Sequence, residues 1–84
     1  MGQYANIKRK NIYKLMNWLS KKDSKIVISQ RGKHQYAIEY PYWSQPYIIP
    51  WKHNEVNKYI VKDLMEQLVN SDICTKEEFD QYIR

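Results

Sequence analysis

The chain has 84 residues and a formal net charge of +5, which allows one small core and excludes a two-domain architecture. Mean hydropathy is −0.81 and no apolar run approaches the roughly 18 residues of a membrane-spanning helix, so no membrane partner is expected. The single cysteine, Cys74, excludes an internal disulfide and has no metal-ligand cluster around it, and no leader-like segment is visible; a cytoplasmic protein without metal or other cofactor is expected.

Residues 1–6 show no periodicity and read as an irregular terminus, with Asn6 a candidate cap. Over residues 7–20 the apolar side chains Ile12, Leu15, Met16 and Leu19 recur at helical spacing, while Lys8, Lys10, Lys14 and Asn17 fall largely on other faces. That pattern predicts an amphipathic helix, with Trp18 widening the core side. Lys21 to Ser24 breaks it. The β-branched run Ile26-Val27-Ile28 then predicts a strand over residues 25–30.

Gln30-Arg31-Gly32-Lys33 is a turn, because Gly32 can take the positive φ of a tight connection. His34, Tyr36, Ile38 and Tyr40 alternate with Gln35, Ala37 and Glu39, which predicts a second strand completing a hairpin. A loop bounded by Pro41 and Pro46 leads to a short third strand, Tyr47-Ile48-Ile49, and Pro50 suits an edge position.

Asn54 is a candidate cap for a second helix, on which Val56, Ile60, Leu64 and Leu68 repeat every four residues and Val61 and Met65 thicken the stripe. Thr75 with Glu78 forms a capping box, and Cys74 with Phe79 a hydrophobic staple, for a third helix over residues 75–83. The expected fold class is α+β. One domain spanning residues 1–84 has a two-layer α-β-β-β-α core over 8–70, with a three-stranded antiparallel sheet covered on one face by both long helices, plus a short C-terminal helix.

Charge is divided unevenly along this plan. Residues 1–33 carry nine cations against Asp23 alone, so they hold +8 and the remainder −3. A footprint of that kind suits a polyanion, with nucleic acid the usual partner. Its centre is the turn where Arg31 and Lys33 flank Gly32 and a histidine follows at once, with Lys8, Arg9, Lys10 and Lys14 as further phosphate contacts.

Several stretches together are similar to the HicA toxins of bacterial toxin–antitoxin pairs: the basic start Lys8-Arg9-Lys10-Asn11-Ile12, the turn Gly32-Lys33-His34-Gln35, the strand exit Ile49-Pro50-Trp51-Lys52-His53, and the helix from Asn57 to Val69 followed by Ile73. Where that family commonly carries Gly-Ser-His-His, this chain has Lys33 and Gln35 in place of the serine and second histidine. The resemblance implies a fold like the double-stranded-RNA-binding domain, endoribonuclease activity on mRNA, and a HicB-like antitoxin partner. It also implies that His34 is the catalytic residue. Imidazole chemistry suits a base for a ribose 2′-OH, and the flanking cations suit developing phosphorane charge; His53, Lys52 or a water are candidates for the acid. The alternative is a non-catalytic double-stranded-RNA-binding module, in which a turn histidine reaches a minor groove. Against it, the second helix opens Asn54-Glu55-Val56-Asn57-Lys58, without a lysine cluster.

Overall fold

The structure, a computed structural model, describes residues 4–83; residues 1–3, the first half of the expected irregular terminus, and residue 84 lie outside the described residues. Along the chain come β1 (Ile7–Lys8), α1 (Arg9–Lys22), β2 (Val27–Gln30), β3 (Gln35–Glu39), β4 (Tyr47–Pro50), β5 (Glu55–Val56), α2 (Lys58–Asn70) and α3 (Lys76–Ile83). Strands β2, β3 and β4 form an antiparallel sheet in that order, and β1 pairs with β5 in a separate two-stranded sheet. The α+β class, the three-stranded antiparallel sheet and the short C-terminal helix are as the sequence pattern predicts.

Register decides which side chains meet the helices. Ile28 stands opposite Ile38, and Ile38 opposite Tyr47; Gln30 stands opposite Tyr36, and Tyr36 opposite Ile49. Period-2 alternation therefore aims Ile38 and Ile49, both fully buried, at the helix layer. The opposite face carries Val27, Ser29, Glu39 and Ile48. Val27 and Ile48 are exposed there, so this face is solvated around the small, covered Ala37 at its centre. Pro50 ends the edge strand β4, where its missing N–H costs no ladder bond.

The helices supply the rest of the core. Ile12, Leu15, Met16 and Leu19 on α1, Val61, Leu64 and Leu68 on α2, and Phe79 and Ile83 on α3 belong to one buried cluster. Helix α3 is joined to the N-terminal region by polar contacts as well: the Asn11 side-chain amide donates to the Ile83 carbonyl at 2.8 Å, and the Tyr4 hydroxyl to Asp80 at 2.8 Å. Its start is the expected capping box, with the Thr75 amide donating to Glu78 Oε1 at 2.9 Å and the Glu78 amide to Thr75 Oγ1 at 3.1 Å.

Six expectations are corrected. Helix α1 begins at Arg9, because Ile7 and Lys8 pair with Val56 and Glu55; Asn6, at φ 62°, is a left-handed turn residue and caps nothing. Tyr4 is buried against Phe79 in an edge-on ring contact, so the terminus is anchored from residue 4. Val56 belongs to β5, and the cap of α2 is Asn57, whose Oδ1 accepts from the Tyr59 amide at 2.8 Å, in place of Asn54. Trp18 is half-buried and stacks on Tyr82, with ring centroids 4.4 Å apart and planes 15° from parallel, at the margin of the core.

Candidate nucleic-acid interface

Three segments converge at one end of the sheet: the β2–β3 turn, the β4–β5 connection and the first turn of α1. In the β2–β3 turn the Arg31 amide donates to the Gln35 carbonyl at 2.8 Å, and Gly32 sits at φ 69° with open space where a Cβ would project. Backbone conformation, and not crowding, is therefore what favours glycine there. Lys33 and His34 follow, both exposed, and His34 lies just before β3 and outside its ladder.

His34 is held by its backbone. Its carbonyl accepts from the Trp51 amide at 2.6 Å, which ties the turn to the β4–β5 connection and so to Lys52 and His53. Arg9 closes the triangle: Nη1 donates to the Trp51 carbonyl at 2.8 Å, and the Arg9 amide donates to the Asn54 carbonyl at 2.9 Å. Among the described residues no side-chain hydrogen bond or ion pair engages His34 or His53. Both imidazoles therefore stand in solvent on pinned main chain, free to meet a ligand.

The expected phosphate contacts divide into two groups. Lys8 pairs with Glu55 at 3.1 Å, Arg31 pairs with Glu39 at 3.5 Å, and Arg9 is committed to the Trp51 carbonyl. Glu39 lies on the solvated sheet face, so Arg31 is drawn that way and does not flank the turn symmetrically with Lys33. Lys10, Lys14 and Lys33 are exposed and, among the described residues, carry no ion pair. These three remain available for phosphate.

The first turn of α1 has no acidic residue and Lys8 provides no side-chain cap. Cations at the positive end of a helix dipole work against helix stability. Departures from local helix rules concentrate at functional sites, and here they leave a positive field at the start of α1. Beside it runs a row of aromatic rings: Trp51 meets Tyr36 at 4.6 Å between centroids, and Tyr36 meets Tyr13 edge-on at 6.2 Å. Tyr13 is 45% exposed. The sequence reading placed Trp51 at a strand exit and missed this row; the signal was an aromatic residue directly after Pro50 and directly before Lys52 and His53.

A scan against protein-family models, a search of curated proteins and a search of solved structures find no match to this chain.

Elsewhere the chemistry is structural. Burial pushes the Cys74 thiol up to about 11, which leaves it protonated and inert near neutrality. The Tyr47 hydroxyl, pushed up by burial and then by Asp63, reaches the Ile60 carbonyl at 3.0 Å and Asp63 at 3.2 Å and so ties β4 to α2. Among the described residues no three His, Cys, Asp or Glu side chains converge as metal ligands, and no helix is long and apolar enough to cross a membrane. The groups gathered at the β2–β3 turn are of another kind: two accessible imidazoles, unpaired lysines and a row of tilted and edge-on aromatic rings, which together suit a phosphodiester chain bearing flat bases.

Proposed function

We propose that this protein binds RNA through the end of the sheet where the β2–β3 turn meets Trp51, and cleaves it there as a HicA-type endoribonuclease with His34 as general base. The observation that carries the reading is the Trp51 amide donating to the His34 carbonyl at 2.6 Å, which holds one exposed histidine on the segment that carries a second, His53. In this reaction the His34 imidazole takes the proton of a ribose 2′-OH, the 2′-oxygen bonds to phosphorus, the P–O5′ bond breaks and the leaving 5′-oxygen takes a proton from an acid. His53 is the candidate for that acid. Lys33 and Lys10 bear on the charge of the phosphorane. The products are a 2′,3′-cyclic phosphate and a free 5′-hydroxyl.

Activity of this kind in the cytoplasm calls for a dedicated inhibitor, and a HicB-like antitoxin whose acidic groups cover Lys33 to Tyr36 is the partner this reading expects. Such charge complementarity speeds association by steering. The alternative, a non-catalytic double-stranded-RNA-binding module, draws on one observation: His34 has no orienting hydrogen bond to its side chain among the described residues.

The test is incubation of an end-labelled RNA, single-stranded and as a duplex, with wild type, His34→Ala and His53→Ala. Cleavage by wild type giving cyclic phosphate ends, lost in His34→Ala with RNA binding retained, supports the nuclease. Binding without cleavage by wild type supports the module, and no binding at all sinks both.

A further inference from the structure

Helix α1 carries a basic and aromatic face that starts at the His34 end with Lys10 and runs away from it. Lys10, Lys14, Asn17 and Lys21 are all exposed, and their spacing of four, three and four residues sets them on one helix face. From Lys10 to Lys21 this face runs about 16 Å at the rise of an α-helix. Near its end a groove of about 340 Å³ opens between α1 and α3, lined by Lys14, Asn17, Trp18, Lys21 and Tyr82.

The groove is built from flat rings. Trp18 and Tyr82 stack at 4.4 Å, and Lys22 Nζ lies 5.2 Å from the Trp18 ring centroid. Glu78 pairs with Lys22 at 3.4 Å, while Lys14 and Lys21 have no ion pair among the described residues. Two uncompensated cations therefore flank a partly exposed ring stack. Tyr13, one turn before Asn17 on the same helix, meets Tyr36 of the row at the other end.

From this juxtaposition of the Lys10-Lys14-Lys21 face with the Trp18–Tyr82 stack we infer that α1 is a track for single-stranded RNA, with an unpaired base seated on Trp18 and Tyr82. The inference rests on the RNA reading given above and adds a strand preference and a second subsite. An unpaired base presents a π-face that a duplex keeps inside its own stack, and phosphates spaced along a strand match cations spaced along a helix.

The experiment measures binding of a fluorescent 12-nucleotide single-stranded RNA, and of a duplex of the same length, by anisotropy across a salt series. All proteins carry His34→Ala so that cleavage does not interfere. Tyr82→Leu should weaken single-strand binding by about 5- to 150-fold, the range expected for one base–aromatic stack, while Tyr82→Phe keeps the ring and the affinity. Lys14→Ala/Lys21→Ala should flatten the log-log salt slope by about 1.4, from about 0.7 per phosphate on a single strand. These two lysines are exposed, so the double variant stays informative even if Tyr82→Leu perturbs folding by circular dichroism. RNA bound by the parent with both changes silent would overturn the track and leave the RNA reading standing. Equal losses on the duplex would overturn the strand preference, and no binding by the parent would overturn both readings together.

Discussion

The amide of Trp51 donates to the carbonyl of His34 at 2.6 Å, so the backbone of the turn is fixed while the imidazole stays in solvent. Removing that imidazole should leave the fold alone. His34→Ala is expected to shift stability by less than about 0.5 kcal/mol, as for other exposed positions, and to slow RNA cleavage by about 10² to 10⁴-fold, the usual contribution of a positioned general base. A thermal melt and a cleavage time course on the same sample check the pair. A large loss of stability would show that the side chain, and not the main chain, holds the turn.

Helix α3 should be as critical to stability as the longer helices. Phe79 is fully buried in the cluster that holds Leu15, Leu64 and Ile38. Phe79→Ala should cost about 3–5 kcal/mol and Leu64→Ala about 2–5 kcal/mol, each a large fraction of the stability of a small domain. Denaturant titration of both variants checks this; a cost at Phe79 under about 1 kcal/mol would make α3 an appendage.

Those two costs also mark what was legible in the sequence. Leu64 sits in a helical repeat and Phe79 in a capping-box helix, and both signals are local, as is the glycine turn between two β-rich runs. Pairing of Ile7–Lys8 with Glu55–Val56 is different in kind. Two-residue strands have no periodicity to read, and Val56 happens to fall four residues before Ile60, which extends the apparent helix by a turn. Trp18 shows a similar limit, since its spacing places it beside the core stripe and only the arrival of Tyr82 from α3 decides that it ends in a stack at a groove. At the candidate site the turn and its cations were visible, but the pairing of Arg31 with Glu39 and the engagement of Trp51 by both His34 and Arg9 depend on segments brought together by folding.

Glu78 gives the fold an acid-sensitive point. The hydrogen bond from the Thr75 amide, then Lys22, hold its carboxyl below the ordinary value of 4.5. A folded-state value lower than the unfolded one means that the ionised carboxylate stabilises the protein above the ordinary carboxylate range, and that this contribution disappears as pH falls through the folded value. Glu78→Gln keeps a hydrogen-bonding side chain and removes the titration. Wild type should therefore exceed the variant in melting temperature at pH 6–7, and the difference should shrink as the pH is lowered through the carboxylate range. A constant difference would mean that charge at Glu78 plays no part.

Asp72 offers a stabilising change. It follows α2 at φ 58°, where its amide donates to the Val69 carbonyl at 3.0 Å and the next amide, of Ile73, to Leu68 at 3.0 Å. This is the left-handed helix stop that glycine fills without a Cβ penalty. Asp72→Gly should raise stability by up to about 1 kcal/mol, part of the left-handed penalty being offset by the greater freedom of glycine in the unfolded chain. Urea midpoints compare the two proteins directly; a lower midpoint for the variant would point to a favourable role for the Asp72 side chain at this helix end.

Arg9 is expected to act through Trp51. Its guanidinium is committed to the Trp51 carbonyl at 2.8 Å, and the same residue's amide holds the His34 carbonyl, so Arg9 positions the turn from two steps away. Lysine in its place keeps the positive charge but loses the planar fork that makes the contact directional. Arg9→Lys should accordingly leave KM for RNA near the wild-type value and lower kcat, whereas Lys33→Ala, which deletes an unpaired cation, should raise KM and lower kcat together. The split separates a positioning residue from a phosphate contact. Should Arg9→Lys raise KM and spare kcat, Arg9 would be contributing charge to RNA binding, and the link from Arg9 through Trp51 to His34 would carry no catalytic consequence.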